Sequence, residues 1–312
     1  MNSSNDTFMS DDGTPLSVYS WEPDGFRKGV VHIAHGLGDR ALRYERVALD
    51  LAARGYVVCS NDHRGHGKTA ARPEDLGFFA ETDGWNRAVR DLQLLMAAEK
   101  KSHPDLPLIL LGHSMGSFMA QQCLFECGDL LDGCALSGSS GKPQALVYLL
   151  KAMAEFERLI RGKRHRSSLL HSLSLRRANR AFQPVRTAFD WLSRDPEVGT
   201  QFVADPLCGF VGTTQLWLDL IHGLFWISKP ENQSRIPKDI PIYIFAGLSD
   251  PISDGCKGLI QLLSAYQAQG LTNVRHKFYP GGRHEMLNET NRDEVIEDLV
   301  AWLDAVTAKE IR

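Results

Sequence analysis

The stretch Leu108-Ile109-Leu110-Leu111-Gly112-His113-Ser114-Met115-Gly116 constrains the fold more than any other part of the chain. Four consecutive aliphatic residues read as a buried strand, and the apolar pattern from Met115 to about Cys127 reads as a helix. A chain that passes from strand to helix through Gly-x-Ser-x-Gly turns sharply. The serine is held at the tip of that turn, in a strained backbone conformation with its hydroxyl exposed. The two glycines follow from the same geometry, because a side chain at Gly112 or Gly116 would collide with the neighbouring strand or helix. The motif alone is short. Its context makes Ser114 a candidate nucleophile rather than a surface serine in a loop.

Around this stretch the chain alternates strands and helices. Thr7 to Met9 and Leu16 to Trp21 read as an antiparallel edge joined by Asp11-Asp12-Gly13. Gly29 to Ala34 reads as a buried strand ending in His35-Gly36-Leu37-Gly38, with a helix from about Tyr44 to Arg54 stopped by Gly55. Tyr56 to Ser60 is the next strand, closing with the loop Asp62 to Thr69. From Asp83 to Lys101, Trp85, Ala88, Val89, Leu92, Leu95 and Met96 recur at helical spacing. Gly133 to Gly138 is a further short strand. The alternation stops between about Ser139 and Ile236. It resumes with the strand Pro241 to Gly247, a helix from about Gly255 to Gln269, the strand Val274 to Tyr279, and a last helix from Asp293 to Ala308. Such alternation predicts an α/β fold, a mostly parallel sheet covered by helices on both faces. The interruption is too long for a plain loop, so residues 139–236 are expected to form an inserted, mainly helical lid on a core of 1–138 and 237–312.

A chain of 312 residues can bury such a core. The net charge of −3 offers nothing to a nucleic acid. Six scattered cysteines include no Cys-x-x-Cys pair and read as small buried hydrophobes. Residues 1–13 carry no apolar signal core, and no apolar run reaches the roughly 18 residues of a membrane span. The expected location is the cytoplasm.

Serine holds its proton at neutral pH, so it needs an imidazole as general base and a carboxylate to fix that imidazole's tautomer. In an α/β sheet these groups follow in the order serine, acid, histidine, each just past the carboxyl end of a strand. Asp250, in Gly247-Leu248-Ser249-Asp250-Pro251, and His284, in Gly281-Gly282-Arg283-His284-Glu285, fit that rule. Asp254 is a rival acid but is read as the cap of the following helix. His276 lies within a strand and should point sideways from the active edge. Two backbone donors are expected for the oxyanion: the N–H of Met115, at a helix N-terminus, and the N–H of Leu37, in a loop of small residues. His35, His63 and His66 lie on loops at the same edge, either lining the site or bracing it.

Together these residues resemble the serine hydrolases of the α/β-hydrolase fold, most closely the monoacylglycerol lipase and lysophospholipase branch. His35-Gly36-Leu37-Gly38 is similar to its oxyanion loop, Asp62-His63-Arg64-Gly65-His66-Gly67 to its Asp-x-x-Gly-His-Gly loop, and Gly112-His113-Ser114-Met115-Gly116 to its nucleophile motif. The resemblance covers nearly the whole chain outside the lid. It implies ester hydrolysis through an acyl-enzyme, with no metal or organic cofactor, on single-acyl-chain amphiphiles such as monoacylglycerols or lysophospholipids. The same triad would also serve an aminopeptidase, a thioesterase or a carbon–carbon hydrolase, and a non-catalytic ligand-binding relative is a third possibility. Dehalogenases and epoxide hydrolases of this fold carry Asp where this chain has Ser114.

Candidate substrate-binding residues are His35, Gly36, His113, Trp217 and Phe225. The last two lie in Leu216 to Ile227, a segment apolar nearly all round and expected to offer a wall for an acyl chain. Arg158, Arg161, Lys163, Arg164, Arg166, Arg176, Arg177 and Arg180 fall in a run without Asp or Glu. That run could be a solvated face, or could bring the lid to an anionic membrane or a phosphate-bearing head group. The Phe225-Trp226-Ile227 end could also touch a bilayer.

Overall fold

The computed structural model describes residues 2–176 and 178–308. In chain order the elements are β1 (Asn2–Met9), β2 (Pro15–Glu22), β3 (Gly29–Ala34), α1 (Glu45–Ala53), β4 (Tyr56–Asn61), α2 (Gly84–Ser102), β5 (Leu108–His113), α3 (Met115–Glu126) and β6 (Gly133–Ser137). Next come α4 (Ala145–Arg161), α5 (Ser168–His171), α6 (Pro196–Ala204), α7 (Thr214–Ile227) and α8 (Pro230–Gln233). The chain closes with β7 (Ile242–Gly247), α9 (Lys257–Ala268), β8 (Val274–Tyr279) and α10 (Arg292–Thr307). Between β6 and β7 the described residues form helices and loops but no strand of the sheet, so a helical region is inserted there.

One eight-stranded sheet runs β1-β2-β4-β3-β5-β6-β7-β8. Only β1 and β2 are antiparallel; β4 through β8 are parallel neighbours. This is the α/β-hydrolase architecture, and β5, which carries Ser114 at its end, lies between β3 and β6. Strands β3 to β7 are buried along their whole length, as expected of a parallel sheet covered on both faces. Helices α1 and α10 cover one face, while α2, α3 and α9 cover the other. The edge strands are longer than the apolar pattern indicates, because β1 is polar and held by its eight-residue register with β2. The helix expected from Tyr44 begins at Glu45 after a 3-10 turn over Ala41–Tyr44.

Helix α7 is apolar on nearly every side because it is buried on nearly every side, with only His222 exposed. It lies over α2, where any Cβ at Gly223 would fall on the Trp85 ring. Five of the six cysteines are buried and all six are free. No helix among the described residues is long and apolar enough to cross a membrane.

The inserted region is not uniform. Its segment around Phe189, Trp191, Leu192 and Phe202 has a small apolar cluster of its own. This segment is bonded directly to the sheet's carboxyl edge. The Trp191 and Leu192 carbonyls accept the N–H groups of His284 and Glu285 at 3.4 and 2.7 Å, and the Gly209 N–H donates to the Gly38 carbonyl at 2.8 Å. Arg194 pairs with Glu289 at 2.9 Å and Arg292 with Asp195 at 3.0 Å.

Candidate active site

Ser114 occupies the tip between β5 and α3 with φ 51° and ψ −119°, a conformation disfavoured for any residue with a side chain. The turn is held by the Ser114 N–H, which donates to the Ser137 carbonyl on β6 at 2.9 Å. Close approach explains both glycines. A Cβ at Gly112 would sit 2.5 Å from the Gly116 carbonyl oxygen, and one at Gly116 would fall on the Ala34 carbonyl. Ser114 is half-buried and lines a cavity of about 710 Å³, together with His284, Gly36, Leu37, His113 and Met115.

His284, on the loop after β8, directs its Nδ1–H to Asp250 Oδ1 at 3.0 Å. That oxygen also accepts the Ile252 N–H at 2.9 Å. Both side chains are buried, so the hydrogen bond is not shared with solvent and fixes which ring nitrogen carries the proton. The acid and histidine loops touch directly, since a Cβ at Gly247 would land on the Gly282 carbonyl. The His284 ring packs between His113 and Trp191, with centroids 4.7 and 5.0 Å away. Burial, with His284 beside it, pushes the His113 imidazole down to about 4, so it is neutral at ordinary pH.

The loop after β3 lies against the serine, where a Cβ at Gly36 would be 3.3 Å from Ser114 Cβ. Neither the Leu37 N–H nor the Met115 N–H is hydrogen-bonded among the described residues. Two unspent donors thus lie beside the serine, one of them at the N-terminus of α3.

Of the five candidate substrate-binding residues, Gly36, His113 and Trp217 line the cavity and two do not. His35 is fully buried beneath the loop. Its Nδ1–H donates to the Gly36 carbonyl at 2.8 Å and its Nε2 accepts the His63 N–H at 3.0 Å, so it braces the loop. Phe225 faces away, edge-on to Tyr148 with centroids 4.8 Å apart, because the cavity side of α7 is taken by Leu220, Ile221 and Leu224. Packed beside α7, α4 contributes Leu146, Val147 and Leu150. His63 and His66 pack with His35, at ring centroids 4.2 and 5.2 Å, as a buried group. Asp62 organises their loop by accepting the N–H groups of Ala41 and Lys68 at 2.8 and 2.7 Å.

Asp254 does not cap α9. Cys256 precedes that helix in a left-handed conformation without a side-chain cap bond, and Asp254 instead pairs with Lys257 at 3.4 Å. His276 lies exposed on β8. Much of the basic run is tied to the core. Arg164 reaches Asp75 and Glu81, both at 3.2 Å, and stacks 3.9 Å over Phe78, while Arg166 donates to the Val211 and Pro73 carbonyls. Arg177 lies outside the described residues.

Sequence reasoning missed one group. Arg43 forms a two-pronged pair with Glu285 and also reaches Asp39 Oδ1 at 3.0 Å. This joins the residue after His284 to the residue after Gly38. Glu285, adjacent to a candidate base, was the one available signal; nothing in the spacing points to Arg43.

Comparison with known proteins gives the following likenesses. The family described as Serine aminopeptidase, S33 matches residues 25–291. A monoacylglycerol lipase of Mycolicibacterium smegmatis is 28% identical over 305 residues, covering 95% of each chain. The monoglyceride lipase of Homo sapiens is 26% identical over 301 residues, covering 95% of this chain and 89% of that one. The crystal structure of a thermostable carboxyl esterase from Bacillus coagulans, in complex with glycerol, superposes with a TM-score of 0.88 at 28% identity, covering 98% of this chain and 99% of that chain.

Proposed function

The chain belongs to the Serine aminopeptidase, S33 family and is a serine hydrolase of the esterase–lipase type; we propose that it hydrolyses carboxylic esters of single-acyl-chain lipids, such as monoacylglycerols or lysophospholipids. The observation that carries this reading is the Asp250–His284 hydrogen bond, in a cavity that Ser114 shares with His284 and that α4 and α7 wall with aliphatic side chains. Its volume is within the range of about 300–1,000 Å³ usual for small-molecule sites. The names of the relatives point the same way.

In this reading His284 Nε2 takes the Ser114 hydroxyl proton as Oγ attacks the ester carbonyl. Asp250 keeps the ring in the right tautomer and stabilises the imidazolium. The Leu37 and Met115 N–H groups receive the oxyanion. Collapse of the tetrahedral adduct expels the alcohol, which takes the proton from His284 and leaves an acyl-serine. Water, deprotonated by the same imidazole, then releases the fatty acid and restores the serine. His113, held neutral, presents no like charge to the imidazolium beside it. Residues 139–236 act as the cap over a core of 1–138 and 237–312, with Gly36, His113 and Trp217 contacting substrate.

The family's description includes peptidases. A free peptide amino terminus would want a carboxylate in the wall that has no cation of its own; Asp39 and Glu285 share Arg43, and Asp254 pairs with Lys257 at 3.4 Å. The test is hydrolysis of glycerol and glycerophosphocholine esters from acetyl to oleoyl, with Ser114→Ala as control. Activity should rise with chain length and vanish in the variant. A folded Ser114→Ala protein that still cleaves these esters would overturn the mechanism, and preference for amino-terminal amides would overturn the substrate class.

A further inference from the structure

Three groups from the sheet and its loops surround the His284 imidazole. Asp250 Oδ1 takes the Nδ1–H at 3.0 Å. The Gly138 backbone at the end of β6 lies against the ring, where a Cβ would be 3.0 Å from Cε1, and the His113 ring stands 4.7 Å away. A fourth neighbour, Trp191, comes from the inserted region. Its indole lies 5.0 Å from the imidazole, with the two planes 37° apart. Trp191 is itself firmly held. Its N–H donates to Asn179 Oδ1 at 2.9 Å, its carbonyl accepts the His284 N–H at 3.4 Å, and only 5% of it is exposed. Its indole Nε1–H is nevertheless buried without a hydrogen-bond partner among the described residues. A buried tryptophan ordinarily pairs that group, and leaving it unpaired costs stability that phenylalanine or leucine would not lose. Packing alone therefore does not select tryptophan here. A local rule broken beside a reacting group is a mark of function.

We infer that Trp191 is a positioning residue for the base: its indole holds the orientation of the His284 imidazole and favours the imidazolium that forms as the serine loses its proton. The inference rests on the ester-hydrolase reading, in which His284 carries a positive charge in each half of the reaction. A cation within about 6 Å of an indole centroid is drawn to its π-electrons, and more strongly where water is excluded. The charged and titratable neighbours leave this task open. Asp250 meets the ring at Nδ1, in its edge. His113 is neutral, its imidazole pushed down to about 4 by burial. Glu285 and Asp39 are engaged by Arg43, and Asp254 pairs with Lys257. Arg283 turns away to the Asp190 and Ser193 carbonyls and lies 4.1 Å over the Phe182 ring. Trp191 can meet the cation across its plane. The inserted region thus completes the surroundings of the base as well as walling the cavity.

The test compares the native chain with Trp191→Phe, Trp191→Leu and a chain carrying a ring-fluorinated tryptophan at this one position. Fluorination keeps the shape of the indole while withdrawing its π-electrons. Hydrolysis of a short, soluble p-nitrophenyl ester is followed from about pH 5 to pH 9. With leucine or the fluorinated ring, kcat should fall about 10-fold with KM nearly unchanged. The acid limb of kcat/KM should also move about half a unit toward lower pH, because a base whose cation is less favoured stays unprotonated further into acid. Phenylalanine keeps a π face, so it should restore most of kcat and return the limb toward its native position. The fluorinated ring keeps the packing, so its result stands even if the leucine variant fails to fold. An acid limb unmoved by fluorination, a loss confined to KM, or equal losses with phenylalanine and leucine would overturn the inference while the native chain still cleaves esters. A native chain that cleaves none, or a Ser114→Ala variant that still does, would overturn the hydrolase reading first, and the inference with it.

Discussion

Arg43 and Glu285 meet as a parallel fork, Nη1 to Oε1 and Nη2 to Oε2, each at 2.8 Å, one residue from His284. The guanidinium also reaches Asp39 and lies 4.6 Å over the Phe202 ring of α6. One cation therefore ties together the His284 loop, the loop after β3 and the inserted region.

Glu285→Gln leaves Arg43 its contact with Asp39 and should preserve the fold while loosening the His284 loop. We expect kcat to fall about 10-fold or more with little change in KM, since a small misplacement of a reacting group is costly. Arg43→Met leaves two carboxylates buried without their cation. It should lower stability by about 3–5 kcal/mol as well, read from the urea midpoint.

Gly116→Ala should damage folding, and activity only as a consequence. The added Cβ would be driven into the Ala34 carbonyl, so β3 or the turn must shift. A cost of at least about 1–3 kcal/mol is expected from such overpacking, measured by thermal and urea unfolding.

Asp219 is buried on α7 with only Oδ1 bonded, to Gln215 at 2.9 Å, and desolvation pushes its carboxyl up to about 7. The folded chain thus holds a proton that the unfolded chain releases near 4. Stability attributable to this group is fullest below about pH 4 and declines as pH rises toward 7. Asp219→Asn should raise Tm by several degrees at pH 8 and change it little at pH 4. Equal effects at both pH values would refute the assignment.

Four buried histidines act in the opposite sense. Burial pushes His66 and His113 down to about 4, and His35 and His63 well below the usual imidazole range. As pH falls from about 6.5 toward 4, the unfolded chain takes up protons that these rings refuse, so their stabilisation is present above that window and lost within it. Each ring held near 4 costs on the order of 3 kcal/mol by its lower edge. His66→Gln should shrink the drop in urea midpoint between pH 7 and pH 4.5.

The middle of the sheet was legible because β3 to β7 are largely apolar runs closed by glycine, aspartate or histidine, and most of the helices between them show one apolar face. Ser114, Asp250 and His284 could be placed because each lies at or shortly past the end of a strand, Ser114 after β5, Asp250 after β7 and His284 after β8. What escaped depends on contacts between distant segments. Arg43 and Glu285 are 242 positions apart. Asp254 looked like a cap because Gly255 follows it, yet the left-handed turn at Asp254 and Cys256 starts α9 without a side chain's help. His35 and Phe225 sit in the right segments but point away from the cavity, and a helix apolar on nearly every side, such as α7, gives little periodicity from which to read which side faces inward.

The bonds from Trp191, Leu192 and Gly209 to the catalytic loops divide the inserted region into two mechanical parts. Residues 189–209 form a fixed post; moving them outward would pull on the His284 loop and on the loop after β3. Among the described residues the α4 side of the cavity wall makes no such bonds to those two loops.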